Sequence, residues 1–557
     1  MKTEIIGTDR RDFLKLSAFT FFSLGVPKRS DKFLKQFIAK NKYNSFSPIQ
    51  AVAKNNFSSI DFNGDNINRP HDVLWNVDGY LQKKGGIPLP SEKRKLVVIG
   101  GGMSGLISAY KLQNLDPLIL EQDVYFGGNS KGEDYEQSIF SIGAAYITIP
   151  DKNSGIELML KDLGLFNELK KEEDEDVKVS FQSKLMKDFW LGASDPTHAE
   201  DFIKVDKELR RIYENAFPDI PWKPDSAITE SEFNRLDSMS FEKWLTATFG
   251  VVHPHIMEYF QLYCWSSFNA SIDELSAAQA LNFVASEVDG VLALPGGNAA
   301  ITQRLFERLL ASTSKNSLRA GAMVLRVEAK SENEVWITYE DAAGLIKTIS
   351  ADFCIVASPK FVAKFIVKGI PENQTAIIDQ MNYRGYLVCN AIYKGAFESP
   401  AYDVYCMEGS MPTSPSAMKP PKRAFSDVCL GSWAVDDKTN YGVLTVYKAL
   451  PYDGARQFLF NPGAHDKHKN LILAELSNFA KTCGIDHSKL KGVRMTRWGH
   501  SIPVAGTGMI SSGKLALMSK PIMNSIFFAN QDNWANPAFE CAYEVADTAS
   551  ELIRKII

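Results

Sequence analysis

The chain has 557 residues, 45% of them hydrophobic and 23% charged, with a formal net charge of −4. That length exceeds what one hydrophobic core usually organises, so two connected domains are expected, and the near-neutral balance leaves no electrostatic footprint for nucleic acid. The seven cysteines show no C-x-x-C pair and no metal-like spacing, which points to a protein that folds with reduced thiols and has no metal site.

At the N-terminus the motif RRDFLK at 10–15 resembles the twin-arginine export signal, departing from it only where Asp9 stands for the usual Ser or Thr. The apolar run at 16–26 is too short to span a bilayer and suits the hydrophobic region of a signal. Residues 1–30 are therefore expected to be read by the twin-arginine translocase, giving a periplasmic or exported protein. No A-x-A cleavage motif is present, and an uncleaved signal would tether the protein to the membrane. Residues 31–92 are polar and turn-rich and read as an arm laid onto the following domain.

The most informative stretch is 96–130. LVVI at 96–99 is a short buried-strand pattern that stops at GGGMSG, 100–105, which supplies G-x-G-x-x-G at Gly100, Gly102 and Gly105 and includes Met103 and Ser104. A helical pattern follows, and LIL at 118–120 is a second strand ending in Glu121. Strand, glycine turn, helix, strand and acid in this order predict a dinucleotide cradle: a tight turn, close approach of backbone to a pyrophosphate, and a helix N-terminus facing the phosphates. Glu121 would accept hydrogen bonds from ribose hydroxyls. A second glycine pair, Gly127 and Gly128, followed by Asn129 and Ser130, brings more backbone to the diphosphate or ribityl chain, which favours FAD over NAD.

Further along, 151–290 alternates helical patterns with loops. Ser240 is a predicted N-cap for a helix through FEKWL at 241–245, and LSAAQAL at 275–281 is a second helical pattern. LPGGN at 294–298 is a turn before an amphipathic helix. Residues 323–327, 335–339 and 347–350 alternate like a three-stranded meander, and DFCIVASP at 352–359 reads as a strand running into a turn. Strand patterns dominate 360–504. At the end, SIFFA at 525–529 leads into NQDNW at 530–534 and a helix with Asn536 as expected N-cap and Pro537 at its first position. The acidic run at 172–176 reads as a solvated loop.

These motifs resemble the FAD-binding segments of the flavin amine oxidase superfamily, densely at the two ends of 93–557 and sparsely between. The resemblance implies an α/β fold: a Rossmann-like FAD-binding domain, split and carrying a three-stranded β-meander, plus an inserted α+β substrate domain. The boundaries expected are 93–150, 285–360 and 505–557 for the FAD domain, and 151–284 and 361–504 for the substrate domain. It further implies that the backbone of Val324 meets the adenine, that Gly143 and Ala144 pass close to the flavin ring, and that Asn530 or Asp532 faces the ribityl–phosphate region. The backbone N–H groups near Ala538 and Phe539 would face the flavin edge that gains negative charge on reduction. Trp534 would form an aromatic wall beside the ring. His500 reads either as a general base or as a satisfied core donor. Two departures stand out. The superfamily usually has an arginine just before the glycine pair, where Tyr125 and Phe126 stand here. It also often places a lysine on the substrate-domain strand that corresponds to 386–393, where this chain has Val388, Cys389 and Asn390, and the resemblance makes Asn390 the candidate catalytic residue there. The expectation is an FAD-dependent oxidoreductase acting on an amine C–N bond, with an electron acceptor the residues do not name. The alternatives are a desaturase or oxidase of an apolar C–C substrate, and a flavoprotein of electron transfer or assembly.

Overall fold

The computed structural model describes residues 46–557 except 53–60, 67, 173–176, 398–400, 416–420, 432 and 436–438. The export motif and most of the acidic run lie outside the described residues. Strand β1 (Glu92–Ile99) enters helix α1 (Met103–Lys111) and strand β2 (Leu118–Leu120). A helical region contains α2 (Pro254–Phe268) and α3 (Ala277–Ser286), followed by α4 (Ala299–Ser312). Then come β3 (Leu318–Arg319), β4 (Met323–Ser331), β5 (Glu334–Glu340) and β6 (Ile346–Val356). The later region holds β7 (Tyr383–Lys394), β8 (Asp427–Leu430), β9 (Tyr441–Ala449) and β10 (Leu490–Pro503), and the chain ends with β11 (Ile526–Phe528) and α5 (Phe539–Arg554).

The first sheet is Rossmann-like. Strands β3, β2, β1, β6 and β11 lie side by side and parallel, and β6 also carries the antiparallel meander of β5 and β4. The third meander strand and the strand read at 352–356 are one continuous element. Its first half pairs with β5 and its second with β11. Alternation in β1 explains its uninterrupted apolar run: Leu96 and Val98 face the layer of α1, α4 and α5, while Val97 and Ile99 face the meander side. Each of these side chains is shielded from water, a burial that stabilises by roughly 1.5–3 kcal/mol apiece.

The second sheet has eight strands, with β8, β9, β7 and β10 consecutive in its order and the short segment Asn63–Gly64 at one edge. Along β7 the odd positions Leu387, Cys389, Ala391 and Tyr393 pack on one face, and Tyr386, Val388 and Ile392 on the other. A large aromatic-rich core built on α2 and α3 forms the third layer. The cores do not follow the expected boundaries to the residue. Ile156, Met159 and Leu160 pack with α1 and α5, and Ile510, Leu515 and Met518 pack into the helical core. The predicted N-cap at Ser240 accepts from the Lys243 N–H at 3.3 Å, and the helical pattern at 275–281 starts at Ala277 behind an N-cap at Ser276. All seven cysteines are unpaired. Among the described residues no helix is long and apolar enough to cross a membrane.

Candidate active site

The carboxyl ends of β1, β2 and β6, the N-termini of α1 and α5, and one face of the second sheet converge on a cavity of about 1000 Å³. Its first end is glycine-lined. Gly100, Gly102, Met103, Ser104, Gly128, Asn129 and Ser130 form the wall there, with Glu121 and Val324 nearby. Two contacts make glycine obligatory. A Cβ on Gly105 would stand 2.0 Å from the Gly100 carbonyl oxygen, so α1 packs against its own strand only without one. Gly128 has φ +57, and a Cβ there would sit 2.9 Å from the Gly102 Cα. Gly105 and Gly127 lie behind the wall, not on it. Gly127 ties the two glycine turns together by donating its N–H to the Gly101 carbonyl at 2.8 Å. The N-caps of α1 and α5, Gly102 and Ala538, offer no side-chain cap, which leaves first-turn N–H groups of both helices open toward the cavity.

Glu121 accepts from the Gly101 N–H at 2.7 Å and the Asp123 N–H at 2.8 Å. Burial raises its pKa, and the Lys131 ammonium opposes that rise. Lys131 lines the cavity in an ion pair with Asp123. It is the cation nearest the second glycine pair in sequence, four residues past Gly127, and sequence reasoning missed it by looking only ahead of the pair.

Gly143, Ala144, Asn530, Trp534, Ala538 and Phe539 also line the cavity, and so does His500. The turn before α5 differs from expectation. Asn536 is not the N-cap; Ala538 is, although the Asn536 side chain still accepts from the Ala538 N–H at 3.0 Å. The turn is held by Ala535, a buried non-glycine residue at φ +50, a conformation costing roughly 1–2 kcal/mol. Alanine gives no sequence signal for it.

Two expected site residues are elsewhere. Asp532 does not reach the cavity. Its Oδ2 accepts from the Lys360 N–H and the Tyr383 hydroxyl, both at 2.7 Å, on the inner side of the loop, and Asn530 occupies the wall instead. Asn390 is fully buried, donating to the Ser141 carbonyl at 3.0 Å and accepting from Thr445 at 2.8 Å, so it joins two strands and leaves no group for a ligand. Val388 takes the cavity wall on that strand, and Lys394 is exposed.

His500 stacks on Phe361, ring centroids 4.0 Å apart. Burial, with Arg456 and His71 nearby, pushes its pKa down to about 3. The imidazole is neutral and weakly basic at neutral pH, which favours a packing role over a general base.

The far end of the cavity was not anticipated. Tyr146, Tyr386, Tyr447, Ser266, Glu287 and Asp427 line it. Tyr386 shares a hydrogen bond with Ser266 at 3.2 Å, and Tyr447 donates to the Gly143 carbonyl at 2.8 Å. Burial raises the Glu287 carboxyl to about 7, and raises that of Asp427. The available signal was Glu287 at the C-terminus of α3, where an acid opposes the helix dipole and is seldom placed for stability. The cavity therefore joins a backbone-donor end suited to phosphates with an acid-and-tyrosine end suited to a small cation.

The family model for an NAD(P)-binding Rossmann-like domain matches residues 98–163. Over 498 residues the chain is 22% identical to oxidoreductase PigB of Serratia sp. (strain ATCC 39006), covering 79% of this chain and 72% of that protein. Among solved structures, a putrescine oxidase variant superposes with a TM-score of 0.63 at 17% identity, covering 84% of this chain and 100% of that one. Cyclohexylamine oxidase from Brevibacterium oxydans IH-35A gives 0.60 at 16% identity, covering 83% of this chain and 99% of its own. The fold is shared with these oxidases.

Proposed function

We propose that the protein is an FAD-dependent oxidoreductase that oxidises the C–N bond of an amine. The observation that carries this reading is the single cavity linking the glycine cradle to the tyrosine-and-acid end. The fit to FAD is supported by a cradle that a Cβ would fill at Gly128 and by two helix N-termini opening on one space. The N–H groups at the start of α1 would meet the diphosphate, with Lys131 adding charge. Glu121 would hold the ribose, and the start of α5 the electron-accepting edge of the flavin. Bound there, the flavin supplies hydride acceptance, which asks of the protein mainly proximity and orientation. Trp534, Tyr386 and Tyr447 would orient the substrate carbon, while Glu287 and Asp427 would hold its ammonium group or accept the proton it loses. The solved structures that share this fold, named for putrescine oxidase and cyclohexylamine oxidase, favour an amine.

The test is anaerobic mixing of the FAD-loaded protein with putrescine, cyclohexylamine and a wider amine panel. Loss of the oxidised-flavin absorbance with an amine is expected. Reduction only by isoprenoid or tetrapyrrole compounds, or by nothing, would end the amine reading. We propose also that RRDFLK at 10–15 directs export through the twin-arginine translocase. Cell fractionation after replacing both arginines by lysine should then find the protein retained in the cytoplasm.

A further inference from the structure

Back to back with the large cavity lies a smaller pocket of about 90 Å³. The two share a wall made by Tyr146 and Glu287, whereas Asp403 and Tyr263 face only the small pocket. Tyr146 donates to Glu287 Oε1 at 3.2 Å. Tyr263 is 2% exposed and presents its hydroxyl toward the same carboxyl without closing a hydrogen bond. Asp403 Oδ1 is also out of contact with solvent and without a partner. Among the described residues neither Glu287 nor Asp403 is in an ion pair. The cations lining the pocket are engaged: Lys178 pairs with Glu172 at 3.2 Å and Arg210 with Asp206 at 3.0 Å. The remaining wall is aromatic, with Tyr259, Tyr405 and Trp190.

We propose that this pocket binds a small cation of the ammonium class, ammonium or a methylammonium-sized primary ammonium, between the carboxylates of Glu287 and Asp403. Two half-buried carboxyls facing one pocket without a counter-charge are costly to ionise, and burial raises the pKa of both. An ammonium supplies the missing charge. Its N–H groups satisfy the unpartnered carboxylate oxygen and the free lone pairs of the Tyr263 hydroxyl. Tyrosine and tryptophan walls favour a partly dehydrated ammonium over a strongly hydrated sodium ion. The pocket is too small for a cyclic or branched amine, which assigns it a ligand different from that of the large cavity. The inference shares Glu287 with the flavin reading but does not rest on it, because Asp403 and Tyr263 line only the small pocket and the binding test needs no flavin reduction.

Saturation-transfer NMR on the intact, FAD-loaded protein with methylammonium chloride tests it without turnover. Saturable binding displaced by ammonium chloride, and not by sodium chloride at equal ionic strength, is expected. Asp403→Asn should weaken it about tenfold or more. Tyr263→Phe, which keeps the ring, should weaken it less. Absence of saturable binding, equal displacement by sodium, or a signal that survives Asp403→Asn unchanged would overturn the proposal. So would a methylammonium-soaked crystal with no density between Glu287 and Asp403.

Discussion

His500 shows how a residue legible in sequence acquires its meaning only from its surroundings. Stacked on Phe361 and largely shut off from water, it is held neutral, with its pKa lowered from the usual 6.5 to about 3. Because the unfolded chain binds the proton first, stability is complete above about pH 6.5 and falls as the pH drops toward 3. At pH 5 the loss from this one group is about 2 kcal/mol. His500→Phe should preserve the stack and remove that loss. Urea denaturation at pH 7 and pH 5 should therefore show a smaller acid destabilisation in the variant, and an unchanged difference would refute the assignment. Gly128 is the opposite kind of residue, one whose role follows from backbone geometry alone. Gly128→Ala meets both a left-handed φ and the Gly102 Cα, so the two glycine turns must separate. The expected result is a well-folded protein that retains FAD about tenfold less tightly, read from the ratio of visible to ultraviolet absorbance after dialysis. Glycine spacing was legible because it needs no tertiary information. Asn390 was not, since strand alternation gives the face of a residue and not its depth beneath the neighbouring strand.

Elements with complete local signals were legible: β1, α1 and β2 each carry apolar pattern and turn chemistry in one short window. The start of α5 carried a misleading signal, because Asn536 and Pro537 have the composition of a cap while Ala535 turns the chain so that the helix begins later. The long strand β6 looked like two because its halves face different partners, an antiparallel meander and then a parallel core. Asp532 failed as a cavity residue for a related reason: it serves the junction between elements. It accepts from the backbone at the start of one helix and from Tyr383 at the start of β7, and thus links the loop before α5 to the second sheet. With Oδ1 already unpartnered, this carboxyl depends on the donors it has. Tyr383→Phe should cost about 1–3 kcal/mol, visible as a lower midpoint in denaturant. A midpoint equal to that of the parent would show that the link contributes nothing.

At the scale of the whole molecule, the two ends of the cavity come from parts of the chain that the sequence does not bring together. The backbone-donor end is built from 100–130 and 530–539, and was readable. The acid-and-tyrosine end draws Glu287 from the C-cap of α3, Asp427 from β8, Tyr386 from β7 and Tyr447 from β9, a juxtaposition that exists only after the second sheet packs on the helical core. This assembly sets the pH behaviour of the proposed activity. An alkylammonium substrate remains a cation up to about pH 10, near the usual pKa of an amine, so its binding depends on the protein's carboxyls. Glu287, raised to about 7 by burial and facing Tyr146, Tyr263 and the nearby Glu540, is mostly protonated at pH 6 and mostly ionised at pH 8. Its ionised fraction grows roughly tenfold across that interval for a pKa near 7. KM for an amine substrate should accordingly fall by up to about tenfold between pH 6 and pH 8. In Glu287→Gln that slope should become shallower, the remainder coming from Asp427, while flavin content stays at the parental level, because Glu287 lies at the end of the cavity away from the glycine cradle. Steady-state kinetics across this range, on protein of matched flavin content, would decide the matter: a parental pH slope in the variant would remove Glu287 from amine binding.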